Sequence, residues 1–145
     1  MFEREEEAGM PAEHSWEEES RILRTRLWGR VTIEDIIRDA LKVYADLRIH
    51  TPIQELIDLR EVESTDVTID DLRRLVQLNV NHAERFRGRR QAMVAPTDEL
   101  RSMAQTFVTL SEVHLWPHLS RIFNTLSEAE DWLTSVGSEG NNSTR

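Results

Sequence analysis

The chain of 145 residues contains no cysteine, which removes disulfides, thiolate nucleophiles and cysteine metal sites. It has no long apolar run either. Stretches such as Ala92–Ala95 fall far short of the ~20 residues a spanning helix needs. The opening MFEREEEAGM holds neither a basic nor an apolar segment, so no secretory signal is expected and the protein is assigned to the cytoplasm. Reaction signatures are missing too: there is no glycine-rich phosphate loop, no Gly-x-Ser-x-Gly elbow and no His-Glu-x-x-His string. Adjacent carboxylates such as Asp70-Asp71 stand where a helix start explains them. An enzyme is not expected, nor is a cofactor or a bound metal.

Positive charge is scarce. Eighteen Lys and Arg face 27 Asp and Glu, a net charge of −9, which disfavours nucleic acid and anionic lipid as partners. The first twenty residues carry −7 of it and the rest only −2, so the acidity belongs to one end. Residues 1–12 read as a disordered acidic arm, residues 13–137 as a single domain and residues 138–145 as a polar tail. With 39% hydrophobic and 31% charged residues, the remainder has the composition of an ordinary folded domain.

The domain opens with an expected antiparallel hairpin, roughly HSWEE and RILRTRLW, turning near Ser20-Arg21. Leu23, Thr25 and Leu27 alternate with Arg24, Arg26 and Trp28, the period of a strand with one wetter face. Gly29 is expected to break that strand. Thr32-Ile33-Glu34-Asp35 then has the form of a capping box, and Ile33, Ile36, Ile37, Ala40, Leu41, Tyr44 and Leu47 mark one helical face that should end before Pro52. A buried strand centred on Leu56, Ile57 and Leu59 follows. Thr68-Ile69-Asp70-Asp71 repeats the cap, with Ile69, Leu72, Leu75, Val76, Ala83 and Phe86 facing inward and Gly88 as a stop. Gln91–Ala95 reads as a strand covered on both faces. Pro96-Thr97-Asp98 opens a third helix with Leu100, Met103, Ala104, Phe107 and Leu110 inward. The strand Leu119–Phe123 and a short helix from Ser127-Glu128 to Gly137 complete the order ββαβαβαβα. That alternation predicts an α/β fold: a mixed, mostly parallel sheet flanked by about four helices.

Several strings in this order resemble the SpoIIAA-like branch of STAS domains, including the STAS/SEC14 type: LWGRVTIEDI (Leu27–Ile36), LIDLREVE (Leu56–Glu63), AMVAPTDELRSMA (Ala92–Ala104) and RIFNTLSEAEDWL (Arg121–Leu133). The resemblance covers roughly Ser20 to Val136. It implies a non-catalytic regulatory module that binds a protein partner, or a carrier or sensor of a small apolar, amphipathic or lipid-like ligand. In phosphorylated members the Asp-Leu strand runs into Asp-Ser-Ser/Thr-Gly. On that pattern Asp66 matches the Asp and Thr68 the acceptor, while Val67 and Ile69 replace the first Ser and the Gly.

Three constellations follow. Ser64, Thr65, Asp66 and Thr68 form a candidate partner-binding or phospho-acceptor loop, for which a plain helix cap at Thr68 is the competing reading. Ile33, Ile37, Met103 and Phe107, with a rim at Thr97 and Arg101, form a candidate ligand pocket. Arg85, Arg87, Arg89 and Arg90 form a candidate anion site, against simple stabilisation of a helix C-terminus. His114 and His118 straddle Pro117, which interrupts the one-face spacing a metal pair needs. Trp16, Trp28, Trp116 and Trp132 read as packing residues, although an exposed Trp28 or Trp116 would suit a homodimer patch.

Overall fold

The computed structural model describes residues 11–50, 53–86, 89–114 and 119–142; the acidic arm before residue 11 lies outside them. Five strands, β1 (Ala12–Glu17), β2 (Ile22–Val31), β3 (Gln54–Thr65), β4 (Arg90–Val94) and β5 (Leu119–Phe123), form one sheet in the order β1-β2-β3-β4-β5. β1 is antiparallel to β2, and the remaining neighbours are parallel. Helices α1 (Ile33–Ala45), α2 (Ile69–Asn81) and α3 (Asp98–His114) connect the parallel strands, and α4 (Leu126–Asn142) follows β5.

Because each parallel strand is added on the same side of the one before it, right-handed crossovers lay α1, α2 and α3 on one face of the sheet. The burial pattern agrees. Leu27, Leu59 and Met93 pack with Ile33 of α1, Leu72 and Val76 of α2, and Phe107 of α3. On the opposite face Ile22, Leu56, Ala92 and Val94 meet Ala129, Trp132 and Leu133 of α4. β4 thus has apolar residues on both faces, the reason its sequence runs without alternation.

The caps form largely where their residue types require. Thr32 and Thr68 each accept a hydrogen bond from the backbone three residues on, and Asp35 and Asp71 reciprocate. The hydroxyl of Thr97 accepts from the Leu100 amide at the start of α3.

Five boundaries depart from the sequence reading. β1 begins at Ala12, inside the stretch assigned to the arm, because Ala12 pairs with Leu27. Gly29 bends β2 without ending it: its φ of +71° accompanies a register shift against β3, and the strand continues to Val31. α1 ends at Ala45 because the Asp46 carboxylate accepts from both the backbone and the guanidinium of Arg48, pulling the chain into a turn. Leu47 is consequently 88% exposed and leaves the inner face. The cap of α4 is Thr125, whose hydroxyl accepts from the Glu128 amide, and not Ser127. Finally, α4 passes through Gly137 to Asn142, overrunning the expected tail; a helical glycine costs about 1 kcal/mol but does not force a stop. Two residues expected on the inner face of α2 are exposed instead: Ile69, in its first turn, and Ala83, which lies in a short 3₁₀ turn, Ala83–Phe86. Among the described residues no helix is long and apolar enough to cross a membrane.

Candidate functional site: a mainly apolar cavity under three helices

Where α1, α2 and α3 meet the sheet their side chains leave a cavity of about 110 Å³. Its walls are mainly apolar: Leu59 and Met93 from the sheet, Ile36 and Ala40 from α1, Leu72 from α2, and Met103, Ala104 and Phe107 from α3. Polar side chains border it as well, among them Thr25, Asp39, Tyr44, Glu55, Asn79, Arg89 and Gln91. Except for Tyr44 these are buried, and a buried polar group is costly unless it is bonded.

A row across the strands meets much of that demand. Register sets Glu55 opposite Gln91, and Gln91 opposite Ser120, on the three-helix face. The Glu55 carboxylate accepts from Arg89 Nη1 at 2.7 Å and from Gln91 Nε2 at 3.0 Å, while Gln91 Oε1 accepts from the Ser120 hydroxyl at 3.0 Å. Arg89 and Glu55 form an ion pair with both side chains under a tenth exposed. Between helices, the Tyr44 hydroxyl donates to Asn79 Oδ1 and its ring stacks on His82 with centroids 4.0 Å apart. Burial pushes the Tyr44 phenol well above its ordinary pKa.

Beside the cavity, His14 of β1 joins the hairpin to α1. Its Nδ1 lies 3.3 Å from Asp39 Oδ1 and its Nε2 3.0 Å from Asp46 Oδ2. Ionised carboxylates only accept, so both ring nitrogens donate and the imidazole is best satisfied when protonated. The bond to Asp39 raises the His14 pKa against the opposing effect of burial, and Asp46 adds to the rise. Asp46 is held well below the usual carboxylate range, first by Arg48 and then, against burial, by His14.

Met103 and Phe107 lie in the cavity wall as the periodicity suggested, but from α1 it is Ile36 and Ala40, not Ile33 and Ile37, that face it. Ile33 packs in the core and Ile37 against it. Thr97 is an exposed cap, and Arg101 reaches Asn124 and Asp98, tying α3 to the loop after β5. Neither lines the cavity, and Arg101 borders a separate surface groove along α3.

The arginine cluster is dispersed by its partners. Arg85 donates to the carbonyls of Asp46 and Ile49, Arg89 turns inward to Glu55, and Arg90 starts β4, half-buried; Arg87 lies outside the described residues. Ser64 and Thr65 end β3, with the Thr65 hydroxyl donating to the Val31 carbonyl. Asp66 and Thr68 are exposed, and Thr68 is the cap of α2. His114 ends α3 in an exposed position, whereas His118 and Trp116 lie outside the described residues. Trp28 is half-buried under Arg26, whose guanidinium sits 4.3 Å from its ring centroid.

Neither a scan of protein-family models nor a comparison with curated proteins finds a match. Among solved structures, an uncharacterized protein of the DUF3478 family from Shewanella loihica PV-4, described as having a SpoIIAA-like fold, is similar to this chain. The TM-score is 0.53 at 22% identity, over 77% of this chain and 83% of that one. The fold is therefore an α/β fold of the SpoIIAA-like kind.

Two measurements check the polar groups. Arg89→Met leaves the Glu55 carboxylate buried without its cation and is expected to cost ~3–5 kcal/mol in urea denaturation, while the double variant with Glu55→Gln recovers much of that loss. A single variant as stable as the parent would contradict burial of the pair. For His14, the raised folded pKa means its stabilisation is full below about pH 6.5 and is lost as pH rises through the folded value. The wild-type Tm is expected to fall relative to His14→Gln between about pH 6 and pH 8. Parallel Tm curves would show that His14 is not held between the two carboxylates.

Proposed function

We propose that this protein is a non-catalytic binding module that holds one compact, mainly apolar molecule between α1, α2, α3 and the sheet. The observation that carries the reading is the cavity itself: apolar walls with a few convergent, buried polar groups, the usual composition of a small-molecule site. Its size narrows the ligand. An apolar cavity of about 150 Å³ accepts benzene, so about 110 Å³ suits a small ring or a short branched chain. A lipid-length chain would require the helices to separate.

A second reading, a regulatory module acting through a protein partner, draws on the β3–α2 connection. Ser64, Asp66 and Thr68 are exposed there, and Ile69 in the first turn of α2 is 54% exposed. An apolar side chain set among acidic groups offers an anchor for a partner's apolar pocket.

Filling the cavity tests the first reading. Ala104→Leu places extra carbons in the space from a wholly buried position, and is expected to keep or raise the Tm while abolishing binding of isopentanol, followed by calorimetry. Undiminished binding would locate the ligand elsewhere. For the second, a partner captured by the wild-type protein should be lost with Ile69→Glu and retained with Ile69→Val. Equal capture by both would remove the loop as the docking surface.

A further inference from the structure

Two inward positions interrupt the apolar series of their elements. On β2, Thr25 stands between the buried Leu23 and Leu27. On α2, Leu72, Leu75 and Val76 are followed at helical spacing by Asn79. Asn79 is 8% exposed, Thr25 is 9% exposed, and both border the cavity. A polar side chain so placed is costly unless its hydrogen-bonding groups are matched.

The two differ in what they leave on offer. Asn79 Oδ1 accepts from the Tyr44 hydroxyl, which fixes how its carboxamide lies between α1 and α2. Its Nδ2 makes no hydrogen bond among the described residues. The Thr25 hydroxyl makes none there either, but a hydroxyl turns and can donate or accept, so it selects no ligand chemistry. An amide nitrogen only donates. Asn79 therefore asks for an acceptor. Charge narrows the kind of acceptor: an ionised ligand entering an apolar-walled space loses its hydration, and a neutral amide does not make good that loss. The guanidinium in the wall, Arg89, is engaged with Glu55. A carbonyl oxygen is neutral, accepts without needing to donate, and can sit on a hydrocarbon small enough for the space.

Resting on the reading that the cavity is a ligand site, we infer that its ligand is a compact neutral carbonyl compound, such as a short branched ketone: Asn79 Nδ2 donates to the oxygen and the hydrocarbon lies against Met103, Ala104 and Phe107. Asn79 is thereby the residue that tells a carbonyl ligand from a hydrocarbon of the same shape, because a hydrocarbon leaves its buried amide unpaired.

Three probes test this in NMR titrations of the isotope-labelled protein: methyl isopropyl ketone, isopentanol, and diisopropyl, the hydrocarbon in which a methyl group replaces the ketone oxygen. The ketone is expected to move the side-chain amide protons of Asn79 downfield, and diisopropyl is not. Tyr44→Phe combined with Asn79→Leu removes both halves of the interhelical hydrogen bond and orphans neither. This double variant should bind the ketone about tenfold more weakly, the effect of burying a carbonyl without a donor, and diisopropyl no more weakly than the wild type. Tyr44→Phe alone should bind the ketone with near wild-type affinity. An equal loss in Tyr44→Phe alone would assign the donor to Tyr44 and overturn the inference, as would a double variant that binds the ketone undiminished. Should either variant fail to fold, the Asn79 resonance decides, and the same response to ketone and diisopropyl rejects the role of Asn79. Isopentanol bound where the ketone is not would overturn the inference while leaving the cavity as a ligand site. Binding of none of the three probes would remove the cavity reading itself, and the inference with it.

Discussion

A carboxylate sunk into the sheet constrains everything around it. Glu55 sits on the three-helix face at 7% exposure, where an unmatched charge would cost several kcal/mol. Arg89 supplies the countercharge from just before β4, Gln91 donates a second hydrogen bond, and Ser120 on β5 completes Gln91. Three neighbouring strands are thereby held in one register by a polar row as well as by their backbones. A one-residue slip of β4 would carry Gln91 to the α4 face and take its hydrogen bond away from Glu55. The cavity inherits this order, because the same row borders it.

Much of the fold could be read from residue types whose local physics has few solutions. Thr-x-x-Asp at 32–35 and 68–71 specifies a cap wherever it occurs before an apolar-periodic segment, and both boxes formed. The apolar run at 91–95 lies in β4 and the residue after it. What failed were boundaries set by one residue. Gly29 permits both a strand end and a bulge, and only pairing with β3 decides between them. Leu47 fits the helical period, but Arg48 captures the Asp46 carboxylate and ends α1 first.

The candidate site was legible only in its apolar half. Met103 and Phe107 follow from the period of α3, whereas the choice of Ile36 over Ile37 depends on how α1 rolls against the sheet. The polar half left a fainter signal. Glu55 and Gln91 occupy inward positions of strands whose neighbours are apolar, the pattern that marks a buried polar residue, yet their partner Arg89 read as one member of a basic surface cluster. Sequence proximity grouped Arg85 with Arg89; the chain then aims one at the carbonyls of Asp46 and Ile49 and the other into the core. His14 gave no local cue at all, because its carboxylates lie 25 and 32 residues away.

The strictly sequential order of the strands has a consequence for where a ligand can sit. Doubly wound sheets reverse direction partway, and the diverging loops on either side of that reversal open a crevice beyond the strand ends. Here the order runs β1-β2-β3-β4-β5 without reversal, so the architecture provides no such crevice. Enclosed space must come instead from imperfect seating of helices on one face, which makes its volume a property of side-chain size on α1, α2 and α3. Selectivity in such a domain is set by core residues and can drift by single methyl groups, while the loops stay free to change for other reasons.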